Sequence, residues 1–257
     1  MTGPAGARPI DLTALIGGVG MDAHRPVLVC HLSDGGRTEL SGASLANWTA
    51  KVAGLVRDEL GLGPGDVAAI RARTGWQVAP VLLGCWWAGL AVTDSAGPSG
   101  PDPSVAFVDS GDDADADEVF VLSGHPLGAP ATDIADHQRD FTTAVLPQSD
   151  RPGPAAVTGG DWIAVWTANA PVTAAGVLRS AEAGAVRLAG ADRPVLLSTS
   201  DWTVPDGVAS TLLACLVAGG TLVHCAADTP ADQLESIARS EHVTAGLGIE
   251  VAGPATD

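Results

Sequence analysis

Short apolar runs alternate with amphipathic or wholly apolar stretches long enough for helices along most of this chain, and that alternation restricts the fold more than any other feature. Pro26–Leu32, Val67–Arg71, Ala91–Thr93, Val105–Asp109, Glu118–Ser123, Pro194–Thr199, Thr221–Cys225 and Val243–Leu247 read as strands. Runs without polar alternation suit strands buried on both faces. Asp34-Gly35-Gly36 is a hairpin signal that returns the chain through Arg37–Leu40. Ser41 or Ser44 then caps a helix carrying Leu45, Trp48, Val52, Leu55, Val56 and Leu60 on one face, with Lys51 off that stripe as a solvated residue. Trp76–Leu90 is apolar all round and reads as a buried helix, with Pro80 in its first turn. Helices are also expected over Leu12–Ile16, Asp133–Val145, Pro205–Ala218 and from Thr229-Pro230 to Ser240, with Gly219-Gly220 as a C-cap. The pattern predicts a layered α/β fold with mostly parallel sheets.

Composition bounds the function classes. The 257 residues suffice to bury a large core, and 46% hydrophobic against 17% charged residues is a globular balance. The net charge of −17 argues against nucleic acid and anionic membranes as partners. No apolar run approaches a membrane span or a signal peptide. Cys30, Cys85, Cys215 and Cys225 are isolated in apolar runs and read as buried, reduced thiols of a cytoplasmic protein.

Most apparent motifs reduce to local structure. Gly61-Leu62-Gly63-Pro64-Gly65-Asp66 follows a helix and precedes a strand, the reverse of a dinucleotide fingerprint, so it is a turn. Asp113, Asp115 and Asp117 begin like a calcium loop, but its glycine and final glutamate are missing, so a solvated acidic loop is expected. No G-x-S-x-G is present, and Ser123-Gly124-His125 lacks a third partner. His224-Cys225 and Glu241-His242 could meet across neighbouring strands but lack metal spacing. Trp202 follows a strand end, where it either packs or walls a pocket.

Asp161–Ala189 reads as strand, loop and helix, the arrangement in which α/β proteins hold phosphate on free N–H groups. Such a loop needs glycines and often a lysine, and this one has neither.

Two segments carry a family resemblance. Gly36–Val92 (GRTELSGASLANWTAKVAGLVRDELGLGPGDVAAIRARTGWQVAPVLLGCWWAGLAV) and the segment RPVLLSTSDWTVPDGVASTLLACLVAGGTLVHCAADTPADQLESIARSEHVTA resemble, in order, the N-terminal domain of adenylate-forming enzymes, the superfamily of acyl-CoA synthetases, luciferases and peptide-synthetase adenylation domains. Laid against that family's phosphate loop, Trp166–Val177 (WTANAPVTAAGV) keeps Thr167 and Gly176-Val177. Asn169 and Val172 stand at glycines, Ala168 at a serine and Ala175 at the lysine. A β-carbon at 169 or 172 hinders closure on phosphate, and the alanines remove a hydroxyl and a charge.

The resemblance implies two lobes, about 64–190 and about 25–63 together with 191–257, because the family's lobes exchange segments in that way. It also implies that the family's later adenine, ribose and metal contacts and its catalytic lysine lie beyond this sequence, whose one lysine is Lys51. The expected protein is therefore catalytically inactive, without catalytic or metal-binding residues, and is kept as a binding or interaction protein with a protein partner or a second copy. No cofactor is expected beyond weak ATP or AMP binding at a vestigial loop of Thr167, Asn169, Thr173 and Gly176, with Trp202 as a pocket wall. Two alternatives stand beside it: a binder of acyl or nucleotide small molecules, and one half of a split ligase.

Overall fold

The computed structural model describes residues 11–19, 22–32, 35–73, 75–94 and 100–247. Helix α1 (Leu12–Gly18) is capped by the Asp11 carboxylate, which accepts from Ala14 N at 2.7 Å. Strand β1 (Pro26–His31) returns antiparallel as β2 (Arg37–Ser41); Asp34 of the expected turn lies outside the described residues. Of the two candidate serines, Ser41 caps α2 (Gly42–Gly54), its Oγ accepting from Ser44 N at 3.2 Å. A π-type turn, Leu55–Glu59, extends α2 and keeps Leu55 and Val56 buried.

The next strands are β3 (Val67–Ile70), β4 (Ala91–Thr93), β5 (Val105–Asp109), β6 (Glu118–Leu122), β7 (Gln138–Asp140), β8 (Ile163–Trp166) and β9 (Pro171–Thr173). They form a sheet of order β7-β6-β5-β3-β4-β8-β9, parallel except at β8–β9. Helix α3 (Val78–Trp87) links β3 to β4 and is buried from Val78 to Trp86, as its unbroken apolar sequence requires. Gly84 lets α2 approach, since a Cβ there would stand 2.5 Å from Val52 Cβ. Helix α4 (Phe141–Val145) follows β7, and α5 (Ala174–Val186) follows β9.

The chain then supplies β10 (Val195–Ser198), α6 (Asp206–Val208), a π-type turn (Ala209–Leu213), α7 (Ala214–Ala218), β11 (Thr221–Cys225), α8 (Ala231–Ser240) and β12 (Ala245–Leu247). These strands join the first two in a sheet of order β12-β10-β11-β1-β2, parallel except at β1–β2. Gly219, at φ +64°, closes α7 in the left-handed conformation that glycine adopts without strain.

One continuous core joins Leu28 and Leu222 of one sheet to Ala68, Phe107 and Phe120 of the other, through α2, α3, α5 and α7. On its other face the first sheet buries Val29, Leu197 and Val223 under Ile237 of α8. The second sheet's other face, with Ala69, Ala106, Val108, Val119 and Val121, is packed by the small side chains Ala114, Ala116 and Ala131 of connecting segments. All four cysteines are free and buried. Among the described residues, no helix is long and apolar enough to cross a membrane.

Two expectations are corrected. Asp133–Val145 is not one helix: Gln138–Asp140 pairs in parallel with β6, and only Phe141–Val145 is helical. Asp140 makes the break, accepting from Thr143 N at 2.6 Å as the cap, while Arg139 lies over the Phe120 ring at 4.9 Å and pairs with Glu59 and Glu118. Nor is Lys51 a loosely solvated residue. Its Nζ donates to Leu146 O at 2.9 Å and Gln148 O at 2.6 Å, beside the Asp150 carboxylate at 2.9 Å.

Candidate functional site

The segment after β8 is a hairpin tip rather than an open loop, because β9 pairs antiparallel with β8, Trp166 opposite Pro171. Thr167 closes the tip. Its Oγ1 accepts from Asn169 N at 3.2 Å and Ala170 N at 3.1 Å, and donates to Ala170 O at 2.8 Å. Thr173 caps α5, its Oγ1 accepting from Gly176 N at 3.2 Å. The two N–H groups before it are also taken: Ala174 N donates to Trp162 O at 3.0 Å and Ala175 N to Gly160 O at 2.9 Å. The Val172 side chain lies over Gly176, where a Cβ would stand 2.9 Å from Val172 Cγ1. Thr167, Asn169, Thr173 and Gly176 are thus drawn into one hairpin and one helix turn. The donors that would cradle an anion at such a place are satisfied by the chain's own acceptors.

Trp202 belongs to the other sheet. It lies in the segment after β10, 1% exposed, with its ring centroid 4.7 Å from that of His224. Its indole nitrogen is buried and has no hydrogen-bond partner among the described residues. His224 Nε2 lies 3.1 Å from Ser200 O, and burial lowers the imidazole's pKa, which favours the neutral ring. Val204 N donates to Asp94 Oδ2 at 3.0 Å and so ties this segment to the end of β4.

The remaining sequence candidates are structural. His137 meets Asp113 at 3.1 Å on the surface, and the described residues contain no cluster suited to a metal ion. His125 Nδ1 accepts from Leu127 N at 3.1 Å within a turn. Glu241 turns to His31 at 2.9 Å and to Arg37 at 2.8 Å rather than pairing with His224. Burial pushes the Cys225 thiol up to about 12, which keeps it protonated and unreactive. An apolar groove of about 350 Å³ lies away from the hairpin, between α1 and the amino end of the first sheet, lined by Leu15, Val19, Val27 and Leu216.

Hydrophobic periodicity did not single out Arg71 and Arg73, which stand at the carboxyl end of β3. The available signal was chemical: two arginines two residues apart, directly after an apolar strand, in a strongly acidic chain.

No family model matches the chain. It is 39% identical over 227 residues to a "TIGR03089 family protein" of Mycobacterium tuberculosis (strain ATCC 25618 / H37Rv), covering 82% of this chain and 86% of that protein. Its fold is that of an acyl-CoA synthetase from Brucella canis (TM-score 0.74, 17% identity, 92% of this chain and 47% of that one). A benzoate CoA ligase from Burkholderia xenovorans LB400 (TM-score 0.70, 17% identity, 92% and 49%) and a luciferase-like enzyme from the Zophobas morio mealworm (TM-score 0.73, 14% identity, 96% and 62%) share it. The chain spans roughly half the length of the two ligases and 62% of the luciferase-like enzyme.

Proposed function

This chain belongs to the TIGR03089 family, and from that premise we propose that it is a catalytically inactive protein on the adenylate-forming scaffold, used for binding or interaction. The observation that carries the reading is the occupied start of α5: Ala174 N, Ala175 N and Gly176 N each donate to an acceptor of the chain itself. A triphosphate would have to displace those acceptors and the Val172 side chain, and no lysine at 175 would repay the exchange. Charge placed against the phosphates is usually the largest single contribution to such chemistry. Lys51, the one lysine, is held by two carbonyls and Asp150. A net charge of −17 favours a protein partner, another chain or a second copy, over a polyanion.

The test is ATP–pyrophosphate exchange by the purified chain across a panel of carboxylic acids, with calorimetric titration of Mg-ATP and AMP at low salt. The expected result is no exchange and no heat. Exchange with any acid overturns the reading. Micromolar binding that Thr167→Val weakens would instead show that the hairpin opens onto phosphate.

A further inference from the structure

The strand order of the second sheet contains a switch. From β3 the chain passes over α3, in the shared core, to β4 on one side. From β5 it passes to β6 on the other side, through the 110–117 segment, whose Ala114 and Ala116 pack on the opposite face. The connections leaving β3 and β5 therefore part at their carboxyl ends. Parallel α/β sheets bind their ligands at such points.

Arg71 and Arg73 follow β3 at that point. Arg71 N and Ala72 N both donate to Phe107 O of β5, at 2.8 and 3.0 Å, so the chain after β3 stays against β5. Arg73 N donates to Asp109 Oδ2 at 2.7 Å, at the end of β5. On the other side, Arg73 Nη1 approaches Asp94 Oδ2 only to 3.6 Å, and that same oxygen accepts from Val204 N. Arg71 is half-buried. Among the described residues, the buried atoms Arg71 Nε and Arg73 Nη1 have no hydrogen-bond partner.

A buried guanidinium N–H without a hydrogen bond is costly, and it is anomalous in a chain with 30 carboxylate side chains, of which Arg73 reaches Asp94 only at ion-pair distance. Arg25, Arg37, Arg57 and Arg139 each reach one within 3.4 Å. The Arg73 side chain is 36% exposed, although its Nη1 atom is itself buried.

We propose that the carboxyl end of β3 is a binding site for a small ligand bearing one oxyanion, a carboxylate or a phosphate monoester, held by the guanidinium groups of Arg71 and Arg73. Guanidinium donors match both anions in geometry, and Arg71 Nε and Arg73 Nη1, which make no hydrogen bond among the described residues, are the donors left to give. Asp94 and Asp109 nearby favour a single anionic group over a polyphosphate. The site stands two strands from the hairpin in the same sheet and does not depend on whether the chain forms adenylates.

The experiment follows the arginine Nε–Hε signals of the full chain by ¹H–¹⁵N spectroscopy. Sodium acetate and inorganic phosphate are titrated separately, with chloride holding ionic strength constant. At least one oxyanion should shift the Arg71 and Arg73 signals saturably, and the arm that does so at lower concentration identifies the group. Arg71→Met should weaken that binding about tenfold, the loss of one charged hydrogen bond. It should also raise the melting temperature of the ligand-free chain, since a buried unpaired donor is gone. Arg179→Gln, at an exposed arginine of α5, should change neither. No saturable shift in either arm, the same affinity in Arg71→Met, or a lower melting temperature of ligand-free Arg71→Met would each overturn the proposal.

Discussion

Lys51 shows how a single residue changes meaning once its partners are known. A lysine alone in a chain of adenylate-forming fold invites a catalytic role, and its place off the apolar stripe of α2 suggests a solvated one. Its Nζ instead bonds Leu146 O and Gln148 O, with the side chain 18% exposed, and so fastens α2 to the segment that leaves α4. Hydrogen bonds from a charged donor contribute more than neutral ones, so Lys51→Met should cost about 2 kcal/mol of stability. Asp150 is 59% exposed and its ion pair is open to solvent. Asp150→Asn should therefore cost no more than about 0.5 kcal/mol. Urea midpoints of the two variants measure both. Equal losses would mean that the ion pair, not the carbonyl contacts, holds the lysine.

At the scale of elements, the carboxyl end of the first sheet is closed by one carboxylate. Glu241 ends α8, where a negative charge opposes the helix dipole, yet it takes Arg37 Nε at 2.8 Å from β2 and His31 Nε2 at 2.9 Å from β1. The Arg37 hydrogen bond, followed by that from His31, holds the Glu241 carboxyl below its ordinary value. A depressed carboxyl stabilises the fold fully above the unfolded value of about 4.3, and that stabilisation is lost as pH falls through the lower folded value. Melting temperatures measured from pH 6 to pH 3 should fall less steeply in Glu241→Gln than in the parent; parallel curves would reject the role. Which elements were legible follows the same logic of partners. PVLVCH and VAFVD read as strands because a parallel strand buried on both faces must be apolar throughout. α3 was legible for the same reason. QRD and PVT were not, since β7 and β9 are three-residue edge strands that exist through the pairing a neighbour offers rather than through their own composition. The strand and the helix on either side of the candidate loop were legible, but not the hairpin that closes it. Thr167 can take the Asn169 and Ala170 amides only after β9 has folded back on β8.

For the whole molecule the decisive fact is that two sheets share one core. Exchange of segments along the chain suggests two units: β1 and β2 join β10, β11 and β12, while the intervening strands form the other sheet. Yet Leu28, Leu40 and Leu222 belong to the same buried cluster as Ala68, Phe107 and Phe120, with α3 and α5 among them. Separating the sheets would expose that shared surface at about 25 cal/mol for each Å², so neither sheet keeps the face it turns to the shared helices without the other. The Asp94–Val204 bond ties them again at their carboxyl ends. Unfolding should therefore be a single cooperative transition despite the length of the chain. Tryptophan supplies a probe for each side: Trp202 lies on the first sheet against His224, and Trp86 is buried on the second with its indole donating to Ala164 O at 2.9 Å. Trp202→Phe removes the tryptophan of the first sheet and leaves six to report the rest of the molecule, while Trp86→Phe removes one of those six. Urea curves followed by fluorescence in each variant should have the same midpoint as circular dichroism of that same variant. A fluorescence midpoint that departs from the circular dichroism midpoint in either variant would mean that the sheets unfold as separate units, and that the apolar core between them is an interface rather than a common interior.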